Sequence, residues 1–598
     1  MAETLLSPGV LTRENDQTQI TQGPVVAAAA ILGPTTKGPV NIPTLVTSYS
    51  EYKNKFGGSF ESASITFEYL TSISAFNYFQ AGGETMLVTR IVSGTFLPAT
   101  ASICGLGTGS SYASGDHSTG SFVLESISKG ELMNNRGAVS TSGSLVSGST
   151  DNLRFEIANV DSGSGTFNLL VRRGDDTTAN KVVLETWTNL SLDPNSTNYI
   201  ESVIGNQTRN FDTDSDGNNF IQITGSYVNN SRFVRVKSVT NPTINYLDNE
   251  GNFKSEYTSS LPQLGSGSFR NPSEEGAFGG AAGHTFGKGT GNVKLKMNDE
   301  IASDSIQGLV AANYTASLNL LENKDEYDFE ILTLPGVNMQ NGAIATTTAI
   351  STVTERGDSI AVIDPRNYGS TINQAITSAA TVDSSFAATY WPWVQALSPE
   401  TNKLIQVPAS TLIPAVYTTN DRLGAEWFAP AGFNRGGVVG AIQAERKLTP
   451  SDRDKLYLGK VNPIASFPGQ GPTIFGQKTL QTKSTALDRV NVRRLLIELK
   501  RVIGQIGEGL LFEQNTAATR GRFLNQVNPY LESVQQRQGL YSFRVQMDEA
   551  NNTADVVDRN QLVGAIYLQP TKTAEFIILD FNVLPTGATF DGNGGGGY

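Results

Sequence analysis

The chain has 598 residues, enough for about four domains at roughly 150 residues each and ample for a real hydrophobic core. Apolar residues make up 38% and charged residues only 17%, which excludes the highly charged disordered class. The net charge of −12 excludes a chain built as a whole to coat nucleic acid, a task that calls for a basic face.

A single cysteine, Cys104, cannot close an internal disulfide and reads as a loop residue beside Gly105, so no oxidising compartment is implied. Met1 to Asp16 lacks a basic region followed by an apolar run, so no secretory signal is expected. No stretch of about 20 apolar residues could span a bilayer. These observations predict a protein made and kept in a cytoplasm. Sixty glycines, with much Ser, Thr and Asn, predict many turns and short strands.

In chain order, Leu5 to Asp16 reads as an extended arm, turned at Pro8-Gly9, with no apolar face to bury by itself. Val25 to Leu32 is a buried-strand candidate ended by Gly33-Pro34, and Leu45-Val46 opens a short segment leading to Phe56-Gly57-Gly58. Ile65, Tyr69, Ile73, Phe76 and Phe79 recur every three or four residues, predicting a helix stopped at Gly82-Gly83. A strand over Met86 to Val92 then completes a strand–helix–strand unit over 20–95.

From Ser93 to Gly291 the chain turns rich in Gly, Ser, Thr and Asn, with strand candidates at Phe122 to Ile127, Phe167 to Val171 and Phe233 to Val239. This reads as one or two β-rich insertions outside the assembly core. From Val293 to Ile464 strands and helices alternate: Phe329 to Leu334 before Pro335-Gly336, a helix over Ala343 to Thr354, and Ile360 to Ile363 before Asp364-Pro365. Helices between strands predict an α/β layer.

Val492, Leu495, Leu496, Leu499, Val502, Ile503 and Ile506 predict a helix with one apolar face. Arg493, Arg494, Lys500 and Arg501 fall on its other side; seven residues is nearly two turns, so they would form a basic strip. Two readings stand: a solvated face with internal ion pairs, or docking onto an acidic partner surface. Thr516 to Gln536 is a second helical region that Pro529 must kink or split. Strand patterns follow at Tyr541 to Met547, Leu562 to Gln569 and Glu575 to Leu584, before a glycine-rich tail ending at Tyr598.

Catalytic and metal chemistry finds little support. Only two histidines occur, His117 and His284, both in Gly/Ser-rich segments, and no G-x-S-x-G elbow is present. Asp212, Asp214, Asp216 and Gly217 mimic the start of a calcium loop, but the twelfth position holds Ile223 instead of Glu, so an Asp/Asn turn is expected. Gly287-Lys288-Gly289 lacks the glycine five residues earlier, where Ala282 stands, and the Ser or Thr of a phosphate loop. One Cys and two His cannot close a zinc site. No enzymatic activity, cofactor or metal is expected.

Several motifs occur in order over most of the chain. Leu5-Leu-Ser-Pro-Gly-Val10 precedes Gly38-Pro-Val40 and Phe56-Gly-Gly58; Trp427-Phe-Ala-Pro-Ala-Gly-Phe-Asn-Arg-Gly436 stands in the centre. Asp488-Arg-Val-Asn-Val-Arg-Arg-Leu495, Leu511-Phe-Glu-Gln-Asn515, Val557-Asp-Arg-Asn560 and Tyr567-Leu-Gln-Pro570 follow. The set resembles the tail sheath proteins of T-even-like contractile-tailed phages over roughly 1–95 and 300–590; residues 96–290 show no recognisable match.

The resemblance implies a multidomain α+β and α/β fold. Its parts would be an N-terminal arm (1–20), a core formed by 21–95 with a C-terminal domain (471–584), β-rich outer insertions (96–292), a subtilisin-like middle domain (293–470) and a tail (585–598). It implies a homo-oligomer of hexameric rings stacked helically around a tail tube protein, meeting baseplate and terminator or neck proteins, with no direct nucleic-acid and no stable membrane binding. Such a sheath would be assembled in the host cytoplasm, form part of the virion, and contract to drive the tube through the host envelope. Leu6, Val10 and Leu11 of the N-terminal arm and Ile577, Leu579, Phe581 and Val583 of the C-terminal arm would add strands to neighbouring subunits. The strip Arg493, Arg494, Lys500 and Arg501 is the candidate tube-facing surface. Two other readings are a sheath from a phage-derived injection device or bacteriocin, and, from a different class, a surface adhesin built on 96–290.

Overall fold

Apolar runs from two distant parts of the chain meet in one sheet. The computed structural model describes residues 25–62, 65–93, 97–106, 112, 120–129, 144–145, 148, 150–269, 301–302 and 305–575. Eight strands form the main sheet: β1 (Val25–Gly33), β2 (Thr44–Val46), β3 (Met86–Arg90), β4 (Tyr327–Asn338), β5 (Ile360–Asp364), β6 (Ala387–Trp391), β7 (Asn462–Phe467) and β8 (Gly471–Ile474). Their order is β2-β3-β1-β4-β5-β6-β7-β8. The inner six run parallel, and β2 and β8 pair antiparallel at the two edges. β1 thus lies between β3 and β4, so the N-terminal strands and those from 327 onward share one sheet.

Parallel strands covered on both faces read as unbroken apolar runs, and β3, β5 and β6 are buried at every residue. Successive side chains serve opposite cores: Ile31, Ile331, Ile360 and Val362 on one face, Leu32, Leu332, Ala361 and Ile363 on the other. Helices α1 (Tyr49–Phe56) and α2 (Leu70–Gln80) contribute Tyr52, Phe56, Leu70 and Ile73 to the first core. The second receives α3 (Ala312–Leu320) and α4 (Ala343–Arg356) through Tyr314, Leu318, Ala345, Ala349 and Val353. α5 (Ile372–Ala379) adds Ala375 to the second core, α6 (Ile413–Leu423) adds Val416 and Tyr417 to the first, and α7 (Pro450–Leu458) adds Leu456 to the second. The result is the α/β layering expected from the alternation of elements.

Three local expectations differ from the structure. The helix expected from Ile65 begins at Leu70, because Ile65–Glu68 pairs antiparallel with Ser59–Ser62; its β-branched and aromatic residues favour that extended pairing. α1, read as a short connecting segment, is a helix capped by Ser48, whose side chain accepts from the Glu51 N–H, and Lys55 pairs with Glu51 at 2.8 Å. β4 continues past Pro335-Gly336 to Asn338, with Gly336 at φ 90° and an irregular register after Thr333.

Residues 98–268 build further sheets. Four strands pair as Val183–Ser191, Thr166–Arg173, Leu153–Asp161 and Gly265–Ser268, and three as Val234–Val239, Phe122–Lys129 and Pro98–Ile103. They share a core containing Phe122, Phe155, Phe167, Leu169 and Val236. The aspartates of the calcium-like segment sit at the Thr208–Thr213/Asn219–Thr224 hairpin, where Asp214 Oδ1 accepts from the N–H groups of Asp216 (2.9 Å) and Asn218 (2.7 Å). Among the described residues, no group of three potential ligands could hold a metal.

α8 (Val490–Glu508) follows. Beyond residue 501 a second unit comprises 502–598. Within it, α9 (Ala517–Gln536) runs as one helix through Pro529 and is not split there. Phe523, Val527, Leu531 and Val534 are its buried apolar face. β9 (Leu540–Gln546) and β10 (Ala565–Pro570) pair antiparallel. The third expected strand, 575–584, lies outside the described residues from Phe576 onward.

Candidate functional site

The first turns of α8 are embedded, not presented to solvent. Val490, Val492, Leu495, Ile497 and Leu499 are buried, and so are the two arginines between them. Arg494 has no exposed surface. Its Nε and Nη2 donate to Glu330 Oε1 at 3.0 and 2.8 Å, and Nη1 and Nη2 donate to the two Asp421 oxygens at 2.8 and 2.7 Å. Its guanidinium also stands 4.8 Å from the Tyr417 ring centroid. Arg493, 5% exposed, stacks over Phe386 at 4.0 Å and donates to Ser385 Oγ. Lys500 is exposed, and Arg501, half-buried, pairs with Glu498 one turn back.

The expected basic strip is therefore corrected. Arg493 and Arg494 belong to the interior, and only Lys500 and Arg501 reach the surface. An apolar stripe predicts a solvated opposite face only for a helix packed on one side; here both sides are covered over the first turns. The partners Glu330, Asp421 and Glu426 escaped the sequence reading. Their one signal was Glu330, the only carboxylate in the expected strand Phe329 to Leu334, which a buried position tolerates only when paired.

Burial opposes the charge of Arg494, but Asp421 and Glu330 hold its pKa well above the ordinary value. Burial pushes Glu330 up, countered in part by Arg494. Burial, with Glu330 nearby, pushes Glu426 up to about 8. The cluster thus ties α8 to β4 and α6 through one fixed cation with carboxylates in excess.

The central motif packs beside this cluster. Asn491 Nδ2 donates to the Trp427 carbonyl at 3.3 Å, and Asn420 Nδ2 donates to the carbonyls of Ala425 and Phe428, each at 3.2 Å. Arg435 stands 4.6 Å from the Phe428 ring. Phe433, 51% exposed, meets Phe467 at 4.9 Å and Phe475 at 6.0 Å, with Arg453 5.0 Å from the Phe467 ring. A motif spread over a turn region is thus half interior clamp and half exposed aromatic cluster.

In the second unit, Asn552 is buried; it accepts from Val563 N–H at 2.9 Å and from Asn515 Nδ2 at 3.1 Å, and donates to the Val563 carbonyl. Asn515 Nδ2 also donates to the Gln561 carbonyl at 2.9 Å. These bonds explain why Asn515 ends one motif close to the Val557–Asn560 segment. Phe512 and Leu511 of that motif stand exposed, Phe512 with φ at 66°. β9 and β10 pair only with each other among the described residues. Leu6, Val10, Leu11, Ile577, Leu579, Phe581 and Val583 lie outside the described residues, as do His117 and His284.

A family model of the phage tail sheath protein central domain matches residues 307–480, and one of the phage tail sheath C-terminal domain matches residues 482–584. Across these two stretches the chain is similar to phage tail sheath proteins. The matched stretches contain the Arg494 cluster, the aromatic cluster and the β9–β10 sheet. The tail sheath protein of Vibrio phage KVP40 is 36% identical over 228 residues, 38% of this chain and 33% of that protein. That of Enterobacteria phage T4 is 37% identical over 185 residues, 31% of this chain and 28% of that protein. The match spans about a third of the length of these curated relatives.

Among solved structures, a sheath tail protein from Listeria innocua aligns over 91% of this chain and 95% of its own, at 11% identity and a TM-score of 0.49. A PVC sheath complex of an extracellular contractile injection system, in its contracted state, aligns over 43% and 71%, at 27% identity and a TM-score of 0.38.

Proposed function

We propose that this chain is the repeating structural subunit of a contractile phage tail sheath and not an enzyme. It polymerises as stacked hexameric rings around a tail tube, within the virion, and contracts to drive the tube through the host envelope. The observation that carries the reading is the β9–β10 pair in the C-terminal sheath domain: among the described residues no third strand joins it, so it offers main-chain donors and acceptors along both outer edges. Strands from the arms, with Leu6, Val10 and Leu11 at one end and Ile577, Leu579, Phe581 and Val583 at the other, fill those edges on neighbouring copies. Bonds of this kind survive rotation of the subunit bodies, so contraction is a change between two packings of a connected mesh.

In this reading 96–292 lie on the outside and 293–470 form a subtilisin-like layer, but 21–95 is not a separate core with the C-terminal domain, because its strands β1 to β3 belong to the same sheet as those from 327 onward. The parallel strands β4 to β7, with helices on both faces, support the likeness of fold. Lys500 and Arg501 remain the candidate contact with the tube. Tail terminator, neck and baseplate proteins bound the polymer, and assembly takes place in the host cytoplasm.

Negative-stain electron microscopy of the purified chain tests this. Long striated hollow tubes, formed alone or on added tail tube, are expected. Monomers under both conditions would overturn the reading.

A further inference from the structure

Six cationic residues, Lys37, Lys55, Lys129, Arg209, Arg232 and Arg235, line one cavity of about 310 Å³. Among the described residues, its lining contains no Asp or Glu, in a chain whose acidic residues outnumber its basic ones 56 to 44. The carboxylates that pair with these cations stand behind the lining. Asp151 meets Lys37 at 3.1 Å, Glu51 meets Lys55 at 2.8 Å, and Glu125 takes Arg235 Nε at 2.9 Å while also facing Lys237 at 3.3 Å. Lys37, Lys55 and Arg235 are thus paired, whereas Arg232 has no ion pair among the described residues. Lys129, half-buried, has no ion pair among the described residues, and burial with Arg235 nearby holds its ammonium below its ordinary pKa.

The walls are held in place without a ligand. Arg90 Nη1 donates to the carbonyls of Gly38 (2.7 Å) and Lys129 (2.6 Å), and Gly38 N–H donates to Ser128 Oγ at 2.6 Å. Asn229 exchanges two hydrogen bonds with the Gln207 backbone. Ile42, Ile127, Val228 and Phe233 supply an apolar side. A preformed concavity with convergent like charges is the arrangement of a ligand site, since gathering cations without an anion costs free energy.

We propose that this cavity binds a small anion carrying two or more linked phosphate groups. Ammonium and guanidinium groups bind phosphate oxygens through charge-assisted hydrogen bonds, and several linked phosphates offset an excess that one monoanion would leave. The cavity is too small for a folded partner or a duplex. A bound anion ties the Lys37–Lys55 segment to the strands Phe122–Lys129 and Val234–Val239, whether or not the chain polymerises.

Isothermal titration of the full chain at low salt tests this, with sodium tripolyphosphate, with adenosine triphosphate and with sulfate. Tripolyphosphate is expected to saturate one site at least tenfold more tightly than sulfate. Adenosine triphosphate binding no tighter than tripolyphosphate identifies the phosphate chain as the whole determinant; tighter binding adds the apolar wall, as for a nucleotide source. Lys129→Met with Arg232→Gln should weaken tripolyphosphate at least tenfold, while Lys403→Gln, outside the cavity, should leave it unchanged. Absence of saturation, sulfate binding as tightly, or an unaffected double variant would overturn the proposal. If the double variant fails to fold by circular dichroism, the exposed Arg232→Gln alone should weaken binding at least threefold, and no change there overturns it equally.

Discussion

Arg494 and Glu330, 164 positions apart, are joined by two hydrogen bonds of 3.0 and 2.8 Å between a guanidinium with no exposed surface and a strand carboxylate. Removing the cation while leaving Glu330, Asp421 and Glu426 in place leaves buried charge without its partner. Arg494→Met is expected to cost about 3–5 kcal/mol, read as a shift of the urea midpoint of the full chain. Adding Glu330→Gln should recover part of that loss, because the stranded carboxylate is then gone. Equal midpoints for wild type and Arg494→Met would show that the network contributes nothing.

Asp364 supplies a pH dependence. Burial, offset in part by hydrogen bonds from the Ser410 hydroxyl and N–H, pushes it from an ordinary 3.8 up to about 7. Between those values the folded chain keeps a proton that the unfolded chain has released. Its contribution to stability is therefore whole below the lower value, falls as pH rises through about 7, and is level beyond. Asp364→Asn, which mimics the protonated group, should flatten the fall of Tm between those limits. Glu68, pushed up to about 7 mainly by burial, keeps part of the slope in that variant. Identical slopes in both chains would rule out Asp364 as a titrating group there.

Gly38 has φ at 114°, and a Cβ built there would lie 2.6 Å from the Phe56 ring and 3.1 Å from the Lys55 carbonyl oxygen. Gly38→Ala combines left-handed strain with a contact against backbone, a loss of about 1–3 kcal/mol. Thermal unfolding checks it, with Gly217→Ala as a comparison: it shares the positive φ but has nothing within 4 Å of its Cβ. If the two changes cost the same, the Phe56 contact is immaterial.

The arms and the surface cations separate two steps of assembly. Deleting residues 1–20 or 576–598 should leave the unfolding midpoint of the remaining chain nearly unchanged while abolishing tubes in electron micrographs. Tubes of normal length from both truncated chains would end the strand-addition reading.

Lys500→Glu with Arg501→Glu should leave self-assembly intact and slow assembly on a purified tail tube at least tenfold, with a loss of salt dependence. Assembly on the tube at the wild-type rate would remove these residues from the contact. Arg494→Glu is not an equivalent test, since it destroys the interior cluster.

The amino-acid pattern alone predicted strands over 25–32 and 360–363, the helix from Ala343 and the strand pattern of β9, because each depends on local periodicity and on Gly or Pro punctuation. The ordered motifs from Trp427 to Pro570 carried the family resemblance in the same way. Tertiary structure alone decided that β1 inserts between β3 and β4, since a parallel neighbour is chosen by packing across the chain and leaves no local mark. It also decided the fate of α8. Helical spacing placed Arg493, Arg494, Lys500 and Arg501 on one side, but spacing fixes only direction around an axis. Whether that direction meets water or Glu330, Asp421 and Phe386 is set by what else folds against it, and here the interior claimed two of the four.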